Sequence, residues 1–375
     1  MSILRLFFAF FLVLASSHTA SFADHSPEKM IRNMKAFSKA GITGKYGPFK
    51  INMAVFGKLP DSEFSSQPYE KYDKVLGDKF NLASIVLKDG VTVFERYNTK
   101  QNVNSNTAFL GMSMSKTAVA ASIGVLLCEH KINSLEDEAG AYSSFLASTP
   151  YATVKIRNIL QMSSGVSPLG RSDVKKFAHK ARGLKRFSGQ GDVRQALNFY
   201  KSAARKQGRG MNYHASDTLA LSVLAEDIAG VPLSKIFFQK VYLKFGKSNY
   251  LHWTSDKSGT TVGFSDLAMT ARDWAEFGQY LMAQKIAKTC LGKFFNEGVN
   301  KSVRTGKENG SRYGYQSWVF DVNGKPSLVL QGHGGQFVVL NESSNTVLLT
   351  ISSSPQYKAG NLFSNIHKIA ERISR

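Results

Sequence analysis

Residues 111–130 read GMSMSKTAVAASIGVLLCEH. A glycine and two serines lead into an apolar run with no proline, in which Gly124 is the only internal breaker. This spacing predicts a helix over 114–130, apolar enough to lie inside a core. What flanks it decides the fold. Upstream, 82–87 (LASIVL) and 91–97 (VTVFERY) read as strands joined by Lys88-Asp89-Gly90, and Asp-Gly between apolar runs is a strong hairpin signal. Downstream, about 132–235 reads as mostly helical, with helices at 154–161, 192–204 and 216–229. Another helix is predicted over 267–287, with Thr270 as N-cap and Asp273 in its first turn. Strands return at 316–321, 327–331, 336–341 and 346–352, and Asn341–Asn345 turns the last two into a hairpin. Residues 358–374 place Leu362, Ile366, Ile369 and Ile373 on one helical face. Residues 28–39 carry a weaker helical period.

Strands, then helices, then strands predict an α/β (α+β) chain: an antiparallel sheet flanked by helices, with an all-helical domain inserted. The expected division is 24–130 with 236–375 for the sheet and its helices, and 131–235 for the helical domain. No internal repeat is visible.

The chain has 375 residues, 43% of them hydrophobic and 20% charged, with two cysteines and a formal charge of +21. There is ample apolar material for a core, which excludes intrinsic disorder. Two cysteines in so long a chain exclude a disulfide-stapled miniprotein. The charge suggests an anionic partner but says nothing about chemistry.

Residues 1–23 read as a secretory signal peptide. Arg5 begins it, Leu6–Leu14 is unbroken apolar sequence, and Ser21-Phe22-Ala23 is a small-x-small cleavage pattern. The apolar run is too short for a stable membrane anchor, and no later stretch is long enough. An exported chain, periplasmic or secreted, with no integral membrane span is therefore expected. Cys128 and Cys290 can pair in an oxidising compartment. Cys128 lies inside an apolar helix, however, and buried free cysteines are common, so two unpaired cysteines are expected.

Metal and cofactor signatures are missing. There is no His-Glu-x-x-His, no close cysteine pair, no P-loop and no dinucleotide glycine fingerprint, and the Gly-x-Ser-x-Gly elbow is missing too. No metal and no cofactor are expected. Ser-x-x-Lys occurs three times, at Ser26–Lys29, Ser113–Lys116 and Ser172–Lys175. Only Ser113 opens a hydrophobic helix. Residues i and i+3 share a helix face, so Lys116 can reach the Ser113 hydroxyl. Burial lowers a lysine pKa toward the range of a general base, and a helix N-terminus favours a developing alkoxide. The plainer alternative is a capping serine and a solvated lysine. A second candidate is Tyr213, in Tyr213-His214-Ala215, which can relay protons if a cation lowers its pKa. Asp217, just beyond, is expected to be an N-cap. A third is Gly332-His333-Gly334-Gly335-Gln336 before a strand. Its glycines allow close approach by a ligand, and the Gln336 N–H can pair with that of Ser113 as an oxyanion hole. A plain glycine-rich turn is the alternative.

Taken in order, Ser113-Met-Ser-Lys116, Tyr213-His-Ala215 and His333-Gly-Gly335 resemble the three motifs of the serine β-lactamase and penicillin-binding protein superfamily. The likeness is to its class C-like branch, which includes esterases, peptidases acting on D-amino acids and 6-aminohexanoate-oligomer hydrolases. The stretches 154–165 and 270–278 resemble it too, and the similarity covers about 80–370. The resemblance implies Ser113 as the acyl-forming nucleophile, Lys116 as its activator and Tyr213 as the proton relay. It also implies His333, Gly334 and Gly335 beside the substrate and Gln336 as an oxyanion donor. Ala215 stands where the family has an asparagine that contacts a substrate amide, and His333 stands for a lysine. Both departures lean toward an ester or a less usual amide.

The expected function is an exported serine hydrolase of a small-molecule ester or amide. The alternative is a non-catalytic penicillin-binding-like module, holding an anionic or cell-wall polymer through its basic surface. There, Lys175, Lys176, Lys180, Arg182, Lys185 and Arg186 crowd the segment 175–187, with Phe177 and Phe187 interleaved. That pattern suits single-stranded nucleic acid as well, but export argues against such a partner.

Overall fold

The hairpin forms where Asp-Gly predicts it. Strands β1 (Asn81–Lys88) and β2 (Val91–Tyr97) meet at Asp89 and Gly90, with φ of +52° and +78°. Both residues are left-handed, as a type I′ turn requires. The computed structural model describes residues 81–99, 103–167, 193–198, 205–248, 251–256, 258–307, 309–352 and 361–374. The signal-peptide reading of 1–23, the helix over 28–39, the other two Ser-x-x-Lys matches and the basic segment 175–187 lie outside the described residues.

The remaining elements follow in chain order. Strand β3 is Ala108–Leu110 and helix α1 is Ser115–Cys128. Short helices α2 (Ser144–Ala147), α3 (Ile156–Leu160) and α4 (Val193–Asn198) precede the longer α5 (Ala215–Ala229) and α6 (Leu233–Lys240). Strands β4 (Leu251–Trp253) and β5 (Leu267–Thr270) lead to α7 (Ala271–Ile286) and α8 (Cys290–Asn300). Strands β6 (Val303–Arg304), β7 (Arg312–Gly314), β8 (Ser317–Val322), β9 (Lys325–Gly332), β10 (Gln336–Asn341) and β11 (Thr346–Ser352) come next, and α9 (Asn361–Ser374) closes the chain.

Eight strands make one antiparallel sheet in the order β2-β1-β11-β10-β9-β8-β7-β6. Strand β1 pairs with β11, Ile85 opposite Leu349, so the two ends of the described chain share a sheet. The central strands are buried on both faces, and alternation sorts their side chains. Val338, Leu340, Val347 and Leu349 pack in the cluster that holds Trp274, Phe277 and Leu281 of α7. Phe337, Val339 and Leu348 join Ile366, Ala370 and Ile373 of α9 on the opposite face. Gly278 lets α7 sit tightly on the sheet, because a Cβ there would overlap Val338 and crowd Val347. A second sheet, β3-β5-β4, also antiparallel, leads the chain into residue 111. The antiparallel sheet flanked by helices is the architecture expected.

Helix α1 is buried along most of its circumference, against α5, α6 and α8. It starts later than its sequence suggests. Met112–Met114 form a 3₁₀ turn, and the α-helix begins at Ser115. The predicted helix 267–287 divides likewise. Its first four residues pair as β5, Met269 opposite Phe109, and Thr270 then caps α7 by accepting from the Asp273 N–H at 3.1 Å. Strand β8 begins at Ser317 rather than 316, because Tyr315 and Gln316, with φ of +48° and +61°, form a tight turn from β7.

Two expectations are corrected. Asp217 is not an N-cap. His214 holds that position in α5, and Asp217 is buried one turn in, accepting from the Ser164 hydroxyl at 2.7 Å and the Tyr151 hydroxyl at 2.9 Å. The cysteines are not unpaired. Cys128 ends α1, Cys290 begins α8, and they form a disulfide with a Cα–Cα distance of 5.8 Å. Cys128 lies in an apolar helix as read, but the packing of α8 on α1 brings the second thiol to its open end. The bond closes a loop spanning 162 residues of sequence. Closing so long a loop removes much entropy from the unfolded chain. Cys128→Ser is therefore expected to lower unfolding free energy by about 2–5 kcal/mol. A urea titration with and without reductant checks this: equal midpoints for the reduced and oxidised protein would contradict it.

Candidate active site

The sheet and the buried helix meet at residues 111–116. The Gly111 N–H donates to the Leu267 carbonyl at 2.9 Å, anchoring the chain as it leaves β3. A Cβ on Gly111 would overlap the Trp274 indole, and one on Gly332 would overlap the Gly111 carbonyl. The end of β9 is therefore pressed against the segment that carries Ser113. Met112 has φ of +49°, an uncommon conformation for a non-glycine residue, and it turns the chain sharply just before Ser113. The Ser115 hydroxyl donates to the Met112 carbonyl at 2.7 Å and accepts from the Leu267 N–H at 3.2 Å, which holds that turn in place. Ser113 thus stands half-buried on a tight turn that runs directly into α1, the Ser115 N–H donating back to the turn's carbonyls.

Lys116 lies on the first turn of α1, and its side chain is buried. Its ammonium donates to the Phe264 carbonyl at 2.6 Å and to the Ser113 hydroxyl at 3.2 Å. It lies 5.2 Å from the centre of the Tyr213 ring and 5.4 Å from that of Phe264. Burial pulls its pKa down from 10.5 to about 7, and Asp266 opposes that shift. A substantial fraction of the amine is therefore unprotonated near neutrality, and can accept a proton.

Tyr213 enters from the loop before α5. Its ring meets Tyr313 edge-on at 5.7 Å and tilts over Trp318 at 5.8 Å. The loop is held below: the Asn212 N–H donates to the Met162 carbonyl at 2.7 Å, and His214 Nδ1 lies 2.5 Å from the Ser216 hydroxyl. His214 Nε2 is 3.5 Å from the buried Asp217 carboxylate, whose pKa burial raises.

The third sequence candidate is the turn from β9 to β10. His333, Gly334 and Gly335 form it, and φ of +89° and +97° at the glycines makes them the residues that fit. Gln336 opens β10 opposite Gly332, and its buried amide donates to the carbonyls of His333 at 3.2 Å and Ser352 at 2.6 Å. The side chain so ties the turn to β11.

Ser113, Tyr213 and His333 line one pocket of about 240 Å³, together with Met211, Lys307, Trp318 and Gln331. Gly334, Gly335 and Gln336 lie beside it rather than in its lining. Sequence reading missed Met211, Lys307, Trp318 and Gln331. Trp318 sits in a predicted strand, but only the turn before it aims it here. In that turn the Gln316 amide donates to the Ile159 and Leu160 carbonyls and accepts from Thr218. Lys307 has no sequence signal, because a loop lysine is most often solvated. Among the described residues no group of histidine, cysteine or acidic side chains is arranged to hold a metal, and no helix is long and apolar enough to cross a membrane.

Solved structures share this fold. A protein from Bacillus anthracis, provisionally assigned as a 6-aminohexanoate-dimer hydrolase, is 21% identical, with 80% of this chain and 82% of that one covered at a TM-score of 0.65. EstCE1, described as a hydrolase with promiscuous acyltransferase activity, is 13% identical over 80% and 96% of the two chains, at 0.62. A penicillin-binding protein from Bacillus halodurans is 14% identical over 79% and 99%, at 0.58. No curated protein sequence gives a significant match. The family model described as Beta-lactamase matches residues 77–365, which takes in the sheet, the buried helix and all three candidate motifs. The chain belongs to the Beta-lactamase family.

Proposed function

We propose that this protein is an exported serine hydrolase that cleaves a carboxylic ester or amide through an acyl-enzyme on Ser113. The observation that carries the reading is the buried Lys116 amine, 3.2 Å from the Ser113 hydroxyl, with its pKa held down to about 7. In the unprotonated state Lys116 takes the Ser113 proton as the oxygen attacks the substrate carbonyl carbon. The carbonyl π bond breaks, and its electrons form an oxyanion beside the backbone N–H groups of Ser113 and Gln336. As the oxyanion collapses, the bond to the leaving group breaks. That group receives the proton from Lys116, passed on by Tyr213. Water then repeats the sequence on the acyl-enzyme and releases the acid.

Hydrolases of esters and amides among the structural neighbours are consistent with this chemistry. Ala215 begins α5 with no side-chain amide to offer a substrate, which favours an ester or a less usual amide over a peptide. Two features support export: the signal-peptide pattern of residues 1–23, and a disulfide of the kind that persists in oxidising compartments.

The direct test is a fluorophosphonate probe followed by peptide mass mapping. Stoichiometric phosphonylation of Ser113 is expected, slowed by prior incubation with a short-chain ester. Labelling elsewhere, or none with folded protein, would overturn the reading.

A further inference from the structure

The pocket that holds Ser113 has an uneven lining. Met211, Tyr213 and Trp318 make an apolar and aromatic wall, and Gln331 and His333 add polar groups. No carboxylate lines it among the described residues, and the one formally cationic side chain is Lys307. Its Nζ stands 4.5 Å from the centre of the Trp318 ring. That ring is 6% exposed, clamped between Tyr213 and Tyr313 at 5.8 and 5.4 Å.

The loop that carries Lys307 is built to hold it there. The Thr305 N–H and hydroxyl both donate to the Ser311 carbonyl, at 3.3 and 2.8 Å. The Lys307 N–H donates to the Thr305 hydroxyl at 3.3 Å, and the Lys307 carbonyl accepts from the Gly310 N–H at 3.2 Å. Gly306 and Gly310 have φ of +72° and +68°, a left-handed backbone that glycine adopts without strain. A lysine laid on an aromatic face has lost part of its water, and partial burial lowers its pKa. An anion brought beside its ammonium is attracted, and a cation is repelled.

Building on the reading of Ser113 as nucleophile, we propose that Lys307 is a specificity-determining residue. It selects substrates that carry a carboxylate or similar anion within one pocket's reach of the scissile carbonyl, such as monoesters or monoamides of short dicarboxylic acids. Trp318 holds the ammonium, and Met211 and the exposed part of Tyr213 pack the methylene chain between the two ends of the substrate.

The test compares mono-p-nitrophenyl glutarate with methyl p-nitrophenyl glutarate, the same ester with its free carboxylate masked. The readout is the ratio of their kcat/KM values. The ratio is expected to fall about three- to tenfold in Lys307→Met, the span of one partly solvated ion pair, and further in Lys307→Glu. It should also fall with added salt in wild type and much less in Lys307→Met. A ratio that is the same in wild type and both variants overturns the proposal. A second measurement does not require turnover: glutarate is titrated into Ser113→Ala while tryptophan emission is followed, since Trp318 lies in the pocket and Trp253 and Trp274 are fully buried. Saturable, salt-sensitive binding that is lost in Ser113→Ala/Lys307→Met supports the proposal, and binding indifferent to Lys307, or no binding, refutes it. If wild type hydrolyses neither ester, the hydrolase reading fails and the glutarate titration alone decides the role of Lys307.

Discussion

Ser113→Ala is expected to lower the turnover of p-nitrophenyl butyrate by about 10³–10⁶-fold, the range for loss of a nucleophile whose oxyanion donors remain. The alanine fits the site. Ser113 is half-buried on a 3₁₀ turn, and among the described residues its hydroxyl accepts from Lys116 at 3.2 Å. The turn is held instead by Ser115 and Gly111. The variant should therefore fold as wild type does, so a lost rate can be assigned to chemistry. Residual turnover should be single-phase, with no burst of nitrophenol, because no acyl-enzyme can accumulate. Ester hydrolysis that keeps its burst in Ser113→Ala would remove the mechanism altogether.

The second large effect is the dependence on Lys116 and on pH. Removing its amine is expected to cost about 10²–10⁴-fold in kcat/KM, as loss of a general base does. On the proposed mechanism the catalytically competent form in wild type is the unprotonated amine. Burial holds its pKa down to about 7, so below that pH kcat/KM should fall tenfold per unit, and above it level off. An ordinary lysine would put the same limb near 10.5. Asp266 works against the shift by favouring the charged form, so Asp266→Asn should move the limb to lower pH. A limb near 10, or one unmoved by Asp266→Asn, would count against Lys116 as the base. The same burial has a stability consequence. The folded pKa lies below the unfolded one, so the unfolded chain binds a proton that the folded chain refuses as pH falls from 10.5 toward 7. Stability is lost over that window. Lys116→Met, of similar length, removes the penalty and should raise the melting temperature at neutral pH while it destroys activity. A melting temperature equal to or below that of wild type would show that the hydrogen bonds to Phe264 and Ser113 outweigh the desolvation.

Much of the architecture is legible locally. Asp89-Gly90 encodes its own turn, because few other dipeptides tolerate left-handed φ at both positions. Thr270 caps α7 as its spacing to Asp273 predicts, and β10 and β11 span the predicted ranges 336–341 and 346–352. Misreadings occur where a distant segment competes with a local preference. Ala268 and Met269 have helical neighbours but pair with β3 instead. Asp217 is a good cap by type, yet burial beside Ser164 and Tyr151 claims it. Cys128 looks like a small core residue until α8 delivers Cys290.

The same division runs through the site. Ser113 and Lys116 are one helical turn apart, so their proximity is set by chain geometry, and the sequence alone determines that these two groups meet. It also determines that Gly334 and Gly335 can make a turn closed to side chains with a Cβ. Tertiary structure decides everything that requires two distant stretches to share a surface. The depression of the Lys116 pKa needs a burial supplied by surrounding elements and the Phe264 carbonyl, 148 positions away. The aromatic cluster of Tyr213, Tyr313 and Trp318, with Lys307 laid on it, comes from two loops and two strands. Side-chain periodicity reports which face of an element is apolar, and it carries no information about which other element will cover that face. For that reason the meeting of Ser113 with Lys116 is readable in the sequence, and the pocket around them is not.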